Sequence, residues 1–286
     1  MADPKFDPRL TPARPDLAAK HLEGKVTAAR FVEGIEFEVF DPVVPVRREP
    51  SHDAALDTEA LKGERVIIYD RDAEGWAWGQ LKADGYVGWI PDIALVQPRS
   101  TPTHKVTALR TFAFPGPSIK LPPVESLPLG ARIEVVKTDG IFAITSQRHY
   151  LPLQHVALLN ATETDFVAVA ERFVGTPYLW GGRTGLGIDC SGLVQTSLAA
   201  AGIISLRDSD MQEAALGTVL PPSQWHDLAR GDLIFWKGHV AIVRDSTTIV
   251  HANAHHMATA IEPTQAAIAR IKAAGGDVTS IKRLTS

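Results

Sequence analysis

Cysteine is scarce in this sequence, which has one such residue, Cys190, among 286. One thiol excludes an internal disulfide and any zinc site built from several thiolates. A lone cysteine is more often an apolar filler of a core than a reactive group. The surroundings of Cys190 therefore decide between these two roles.

Long apolar runs are also missing. Acidic and basic residues and four prolines interrupt residues 1–20, which leaves no apolar core for a signal peptide. No other stretch approaches the length of a membrane-spanning helix. We therefore expect a protein that stays in the cytoplasm and does not enter a membrane, although a chain from which a leader had been removed would give the same pattern.

Strong charge of either sign is absent too. The net charge is −4, and no block of lysines and arginines could neutralise a row of phosphates, so we expect no nucleic-acid partner. Hydrophobic residues make up 45% and charged residues 22% of the chain, which is typical of a protein with a packed core. The length favours two or three modules over one.

Turn residues and short β runs dominate the first half of the chain. Residues 1–42 mix prolines and charges without a sustained period and predict an arm with one short helix that packs across other modules. Within 43–98, runs at 66–69, 76–78 and 86–90 are separated by turn residues. This pattern predicts a small antiparallel β-barrel.

A second copy of this pattern covers residues 103–160. Three segments of the first module are echoed there: 63–66 by 130–133, 76–78 by 142–144, and 93–95 by 156–158. The close of the first module, 85–91, resembles the bacterial SH3-like domains that accompany cell-wall enzymes, and the second copy lacks that ending. We expect two SH3-like barrels in tandem.

A third domain is expected over 161–286. Apolar residues recur there at helical spacing, at Phe166, Val169, Ala170, Phe173 and Val174. A glycine-rich loop, 175–182, follows this helix and precedes Cys190.

Cys190 stands at the start of a second predicted helix, 191–201, which Gly202 ends. Unpaired N–H groups and the helix dipole favour an anion there, which lowers a thiol's pKa. The same N–H groups can bind the oxyanion formed when a thiolate attacks an amide. Cys190 is thus placed as a nucleophile.

Two histidines follow on predicted strands. Residues 231–236, 239–243 and 248–252 are typical of three strands. If the turn between the last two is centred on Asp245, His239 and His251 lie six residues to either side and face each other. One imidazole can then orient the other, whereas a loop with an even number of residues would place the rings on opposite faces.

These residues resemble the NlpC-type cysteine peptidases of bacterial cell-wall metabolism over about 165–251. The family has a circularly permuted papain-like fold, so the resemblance implies an α+β class, with helices on an antiparallel sheet, preceded by the two SH3-like barrels. The matching segments are 177–182, Asp189-Cys190-Ser191-Gly192-Leu193-Val194, 230–233, His239-Val240-Ala241-Ile242 and 249–252.

The resemblance implies a role for each matching residue. Cys190 would be the nucleophile, His239 the general base and acid, and His251 the residue that orients His239. Tyr178 would lend its hydroxyl to the oxyanion. The reaction needs no cofactor and no metal.

The resemblance also implies a substrate, a short murein peptide with a free N-terminal L-Ala, cut between γ-D-glutamate and a diamino acid and supplied by wall turnover. Asp189 and Ser191 would hold its amino end, with Asp189 also capping the helix. Tyr86 of the first SH3-like module would close the far end of the cleft. Arg207, Ser209 and Gln212 fall in a segment that often lines the cleft in this family. A solvated turn would explain this segment equally well.

Other functions stay open at this point. A metal hydrolase could use His251, His255 and His256, joined by His239, although no carboxylate stands at a familiar ligand interval. A binding protein could grip wall fragments without chemistry. A thioester could also pass to an acceptor other than water. The oligomeric state and the identity of the diamino acid are not predicted.

Overall fold

The computed structural model describes residues 6–98 and 101–284. Residues 1–5 of the expected arm, 99–100 and 285–286 lie outside the described part. The chain divides into two compact units, of which the first ends at Leu159 and the second begins at Asn160. No helix among the described residues is long and apolar enough to cross a membrane.

The first half of unit 1 is built around a seven-stranded antiparallel sheet with the order β5-β4-β8-β7-β6-β3-β9. Strand β3 pairs with β6 and β9, so the sheet includes residues on the arm side of the boundary expected at 43. Strands β1 (Ala18–Ala19) and β2 (Phe31–Val32) form a separate parallel pair. The strands of the sheet are β3 (Ile35–Val39), β4 (Val43–Arg47), β5 (Leu56–Leu61), β6 (Arg65–Arg71), β7 (Trp76–Leu81), β8 (Val87–Pro91) and β9 (Leu95–Val96).

The arm packs on this sheet through one arginine. The Arg14 guanidinium lies 4.4 Å from the ring of Trp78 and 4.9 Å from that of Trp89. Its Nη2 is 2.6 Å from the Asp70 carboxylate. The only helical turn within the described arm is a 3-10 turn at Lys20–Leu22. The arm is therefore an integral part of unit 1.

The second half of unit 1 has its own buried cluster, which includes Val106, Leu127 and Leu151. Its sheets have the orders β13-β10-β17, β11-β12 and β14-β15-β16. The strands are β10 (His104–Val106), β11 (Arg110–Ala113), β12 (Glu125–Pro128), β13 (Arg132–Ile133), β14 (Val135–Asp139), β15 (Phe142–Thr145), β16 (Tyr150–Pro152) and β17 (Val156–Leu158).

Unit 2 combines helices with a six-stranded antiparallel sheet of order β20-β25-β21-β22-β23-β24. Alternate residues of β21 and β22, such as Ile234 and Ala241, form a buried cluster with Ala267 of α4. The elements are α1 (Phe166–Glu171), β18 (Arg183–Thr184), β19 (Gly187–Ile188), α2 (Cys190–Ala200), α3 (Ser209–Ala215), β20 (Thr218–Val219), β21 (Leu233–Trp236), β22 (His239–Val243), β23 (Thr248–Asn253), β24 (Ala258–Pro263), α4 (Thr264–Ala273) and β25 (Val278–Arg283).

Candidate active site

The start of helix α2 places Cys190 in the first turn, which confirms the predicted helix. Asp189 is the N-cap, and its Oδ1 accepts a hydrogen bond from the Gly192 N–H at 2.7 Å. Such a cap satisfies one of the backbone donors that a helix start leaves unpaired. After the helix, Gly202 adopts a φ of +79°, which suits a glycine at a helix end.

The Asp189 carboxylate is held by a buried arginine. Arg207 donates from Nη1 to Oδ1 at 2.9 Å and from Nη2 to Oδ2 at 2.7 Å. Oδ2 also accepts the Gly181 N–H at 2.8 Å. Arg207 is 1% exposed, so the pair is shielded from water and the negative charge of Asp189 is already balanced.

The other residues of the expected cleft segment support the same helix start. Gln212 is 0% exposed and donates from Nε2 to the backbone oxygens of Ser191 and Leu206, each at 2.9 Å. Arg207 also donates to the Ser191 hydroxyl at 2.9 Å. Ser209 is half-buried at the first position of α3. In this structure Arg207 and Gln212 are therefore buried residues that support the start of α2.

Tyr178 lies in the loop that runs beside the nucleophile. Its backbone N–H donates to the Met257 oxygen at 2.9 Å, and it forms a β-bridge with Ile188. Burial, with the nearby Cys190 and Asp189, raises the pKa of the Tyr178 hydroxyl well above its usual value. The hydroxyl stays protonated and can donate a hydrogen bond.

A close backbone approach ties this loop to α2. An added Cβ on Gly192 would lie 2.3 Å from the Gly182 oxygen, a distance that atoms cannot adopt. Glycine is therefore required at this position of the helix.

The hairpin of β22 and β23 brings the two histidines together. Ile242 pairs with Val250 and Val243 with Ile249, so the turn is centred on Ser246 and the prediction of Asp245 is wrong by one residue. Continuing this register makes His239 and His251 diagonal neighbours on one face. The predicted contact is nevertheless confirmed, because His239 Nε2 lies 2.9 Å from His251 Nδ1.

Glu262 completes this line of side chains and was not predicted. His251 Nε2 lies 2.7 Å from Glu262 Oε1, and the His251 side chain is 0% exposed. The Glu262 carboxylate also pairs with Arg270. Glu262 is the only acidic residue of β24, but its contact depends on a strand pairing that no local pattern reveals.

Burial sets the protonation of this line. It lowers the pKa of His239 to about 3 and that of His251 to about 4, so both rings are neutral near pH 7. Burial alone would raise the pKa of Glu262. The hydrogen bond from His251 and the positive charge of Arg270 outweigh burial and hold this pKa below its usual value. Glu262 is therefore an ionised carboxylate that can only accept.

The positions of the ring protons follow from these states. His251 must donate from Nε2 to Glu262, which leaves its Nδ1 as an acceptor. His239 must then donate from Nε2 to that Nδ1. The remaining nitrogen of His239, Nδ1, carries a free lone pair and is the atom able to accept a proton.

Cys190 is a thiol at rest. Burial, and then the nearby Asp189 carboxylate, raise the pKa of Cys190 to about 12. The expectation that the helix start lowers this pKa is therefore wrong, although the nearby N–H groups of Val240 and Ser191 act in the lowering direction. Helix α2 packs on β22, the strand that begins with His239. If His239 is the base, as the resemblance implies, the neutral thiol must pass its proton to that ring during attack.

Three further predicted residues are Tyr86, His255 and His256. Tyr86 belongs to unit 1, where its side chain is 3% exposed. His255 and His256 are exposed, with ring centroids 4.8 Å apart. One ring nitrogen of His256 lies within 4.8 Å of ligand atoms of His251 and Glu262, whereas His255 is not part of that group.

Comparison with known protein families identifies two domains. Residues 46–95 match the bacterial dipeptidyl-peptidase SH3 domain, and residues 175–271 match the NlpC/P60 family. The first match lies within the first predicted SH3-like module, and the second lies within the predicted peptidase domain.

Characterised relatives carry related names. The chain is 36% identical to dipeptidyl-peptidase 6 of Lysinibacillus sphaericus over 35% of its own length and 36% of the relative. It is 28% identical to the gamma-D-glutamyl-L-lysine dipeptidyl-peptidase of Bacillus cereus ATCC 10987 over 69% of this chain and 67% of that one. A Bacillus subtilis protein of the same name is 29% identical over 64% of this chain and 65% of that one. The chain thus spans between about a third and two thirds of the length of these relatives.

A solved structure shows the same fold. An NlpC/P60 family protein from Bacillus cereus ATCC 10987 superposes with a TM-score of 0.74, covering 88% of this chain and 100% of that one at 20% identity. The mixed helix and sheet architecture is therefore a papain-like NlpC/P60 fold with an SH3 domain. Residues 175–271, which hold the buried cysteine and the paired histidines, are therefore an NlpC/P60 domain, and an SH3 domain precedes them in the chain.

Proposed function

We propose that this protein hydrolyses the bond between γ-D-glutamate and a diamino acid in short free peptidoglycan peptides. The observation that carries the proposal is the hydrogen-bonded line from His239 through His251 to Glu262, which leaves a free lone pair on His239 near the start of α2. The substrate class is suggested by the names of the two Bacillus relatives, gamma-D-glutamyl-L-lysine dipeptidyl-peptidase.

The reaction begins with proton transfer. His239 Nδ1 takes the thiol proton of Cys190 as the sulfur forms a bond to the carbonyl carbon of γ-glutamate. His251 holds the ring and stabilises the imidazolium that results. The negative charge moves to the carbonyl oxygen, where Tyr178 and backbone N–H groups at the helix start donate hydrogen bonds.

Two bond-breaking steps complete the turnover. The C–N bond breaks as His239 returns its proton to the leaving amine of the diamino acid, and a thioester on Cys190 remains. Water then attacks the thioester and gives a proton to His239. The thiolate leaves, recovers that proton and restores the neutral pair.

Recognition of the amino end is the finer part of the proposal. Asp189 and Ser191 flank the nucleophile and are proposed to border the site of a free L-Ala. Because Arg207 already balances Asp189, an ammonium would share that carboxylate with the guanidinium. Tyr86 is the residue of the SH3 domain proposed to limit the length of the peptide. Small free peptides of this kind would be products of wall turnover, which makes recycling in the cytoplasm the proposed setting.

The architecture also has a proposed detail, a second SH3-like barrel after residue 103. The order of three strands, a 3-10 turn and a strand is shared by β6 to β9 and β14 to β17. Gly63 and Gly130, which precede these runs, have φ values of +78° and +88°. The circular permutation of the peptidase domain is part of the same proposal.

A panel of defined muropeptides, analysed by mass spectrometry, tests the function. We expect cleavage of L-Ala-γ-D-Glu-diaminopimelate between its last two residues, much slower cleavage of its N-acetylated form and no release from intact sacculi. Equal rates on the free and acetylated peptides would remove the ammonium preference. Failure to cleave any member, with Cys190 shown to be unmodified, would overturn the proposed function.

A further inference from the structure

Three potential metal ligands converge behind the proposed catalytic pair. One ring nitrogen each of His251 and His256 and a carboxylate oxygen of Glu262 lie within 4.8 Å of one another. Zinc bound by such groups has ligand atoms about 2.0–2.2 Å away, so their mutual separation would be roughly 3.3 Å. Exposed His256 would move toward the other two groups, and the 2.7 Å contact between His251 Nε2 and Glu262 Oε1 would open by about 0.6 Å to admit the ion.

The hairpin end holds His256 in a defined orientation. Its Nδ1 lies 3.0 Å from Asn253 Oδ1, and its backbone N–H donates to the same oxygen at 2.8 Å. Asn253 is 5% exposed, so this support is itself fixed. A hydrogen bond at one ring nitrogen, with the other left for the ion, is the usual arrangement of a metal-binding histidine.

We propose that His251, His256 and Glu262 form an inhibitory site for a divalent transition metal ion of the zinc type. The donor set of two imidazoles and one carboxylate suits such ions and does not suit Mg²⁺ or Ca²⁺, which prefer oxygen ligands. The inference rests on the proposed function, because inhibition acts through His239.

Inhibition follows from the placement of protons. A metal ion on His251 Nε2 takes the place of the proton now donated to Glu262, so that His251 carries its proton on Nδ1 instead. His251 Nδ1 then donates to His239 Nε2, which must become an acceptor. His239 consequently carries its proton on Nδ1 and has no lone pair for the thiol.

The proton count of the pair is unchanged by this shift. Each neutral ring holds one proton before and after the metal binds. The proton on His239 Nε2 passes to His251 Nδ1, while the proton lost from His251 Nε2 is replaced from water at His239 Nδ1. No oxidant or other reactant is needed. Arg270, which now pairs with Glu262, opposes the cation and keeps the inhibition reversible.

Binding can be measured apart from catalysis. We would titrate the full-length Cys190→Ala variant with Zn²⁺ by calorimetry, since this variant cannot bind zinc through its thiol. We expect one strong site, weakened about tenfold or more by adding His256→Ala and unchanged by adding His255→Ala. Mg²⁺ should give no such site. Equal affinities in the two double variants would overturn the proposal.

Activity provides the second arm. In otherwise wild-type protein, His256→Ala should keep the basal rate and require about tenfold or more Zn²⁺ for half inhibition, while His255→Ala should be inhibited as the wild type is. EDTA should restore the rate. Zinc inhibition that ignores His256 would assign it to Cys190 and overturn the proposal. A protein that binds zinc as expected but cleaves no muropeptide would contradict the proposed function alone.

Discussion

At the scale of single residues, the chemistry of Cys190 depends on where two protons sit. The buried Cys190 thiol, the half-buried His239 ring and the buried His251 ring are all neutral, so the resting protein holds no thiolate and imidazolium pair. Each ring proton points away from the nucleophile toward Glu262. In the proposed mechanism, charges therefore separate only during the attack, when Tyr178 and the helix N–H groups are proposed to stabilise the oxyanion.

Removing the base should cost more than removing its partner. His239→Ala should reduce turnover by about 10⁴-fold or more, because His239 is the group proposed to take the thiol proton. His251→Ala should leave roughly 10 to 100 times more activity than His239→Ala, because it only orients the ring. Single-turnover rates on a free tripeptide, with EDTA present, measure both. Cys190→Ala is the inactive reference, and a His251 variant as slow as that reference would contradict the assigned roles.

At the scale of secondary structure elements, the beginning of α2 is held by a segment that follows the helix in sequence. Arg207 and Gln212 reach back to Asp189 and Ser191 from the turn before α3 and from α3 itself. The ion pair is fully enclosed, and an unpaired buried charge is strongly disfavoured. The position of Cys190 therefore depends on residues some distance along the chain.

Loss of the ion pair between Arg207 and Asp189 should destabilise the fold. Arg207→Ala leaves Asp189 buried without its partner and should lower the free energy of unfolding by about 3–5 kcal/mol. Arg230→Ala is a matched control in the same unit, because Arg230 forms exposed ion pairs with Asp165 and Glu171 that are worth about 0–1 kcal/mol. Urea unfolding followed by circular dichroism measures both variants, and equal losses would refute the argument.

Sequence patterns predicted the elements better than the contacts between them. The apolar face of α2 and the short β runs of β22 and β23 are local signals, and they located Cys190, His239 and His251. The contact of Glu262 with His251 and the burial of Arg207 depend on contacts between distant segments, and sequence periodicity does not reveal those contacts. The pKa of Cys190 was predicted in the wrong direction because a helix start is visible in a sequence and the degree of burial is not.

At the scale of the whole molecule, two neutral histidines, the buried His251 and the half-buried His239, make stability depend on pH. Their folded pKa values, about 3 and 4, lie below the ordinary value of about 6.5. Between these values, the two histidines bind protons in the unfolded chain and not in the folded one. The free energy of unfolding is therefore highest above pH 6.5 and declines as the pH falls toward 4. For enclosed His251 the expected slope is about 1.4 kcal/mol per pH unit.

Denaturant unfolding at a series of pH values checks this expectation. The wild-type free energy of unfolding should decline between about pH 6.5 and 4, and His251→Asn should have a shallower decline. His255→Ala, which removes an exposed ring, should follow the wild type. A wild-type profile that stays level across this window would show that the rings are not held neutral.

The packing of Arg14 against Trp78 and Trp89 also determines whether the N-terminal segment can be removed. A proline-rich segment of this kind invites removal as a flexible tail. Its arginine, however, covers two indole faces and pairs with Asp70, so the segment is bound to the sheet. A shortened chain that starts beyond Arg14 would uncover an aromatic surface, and aggregation is the expected consequence for anyone who trims it.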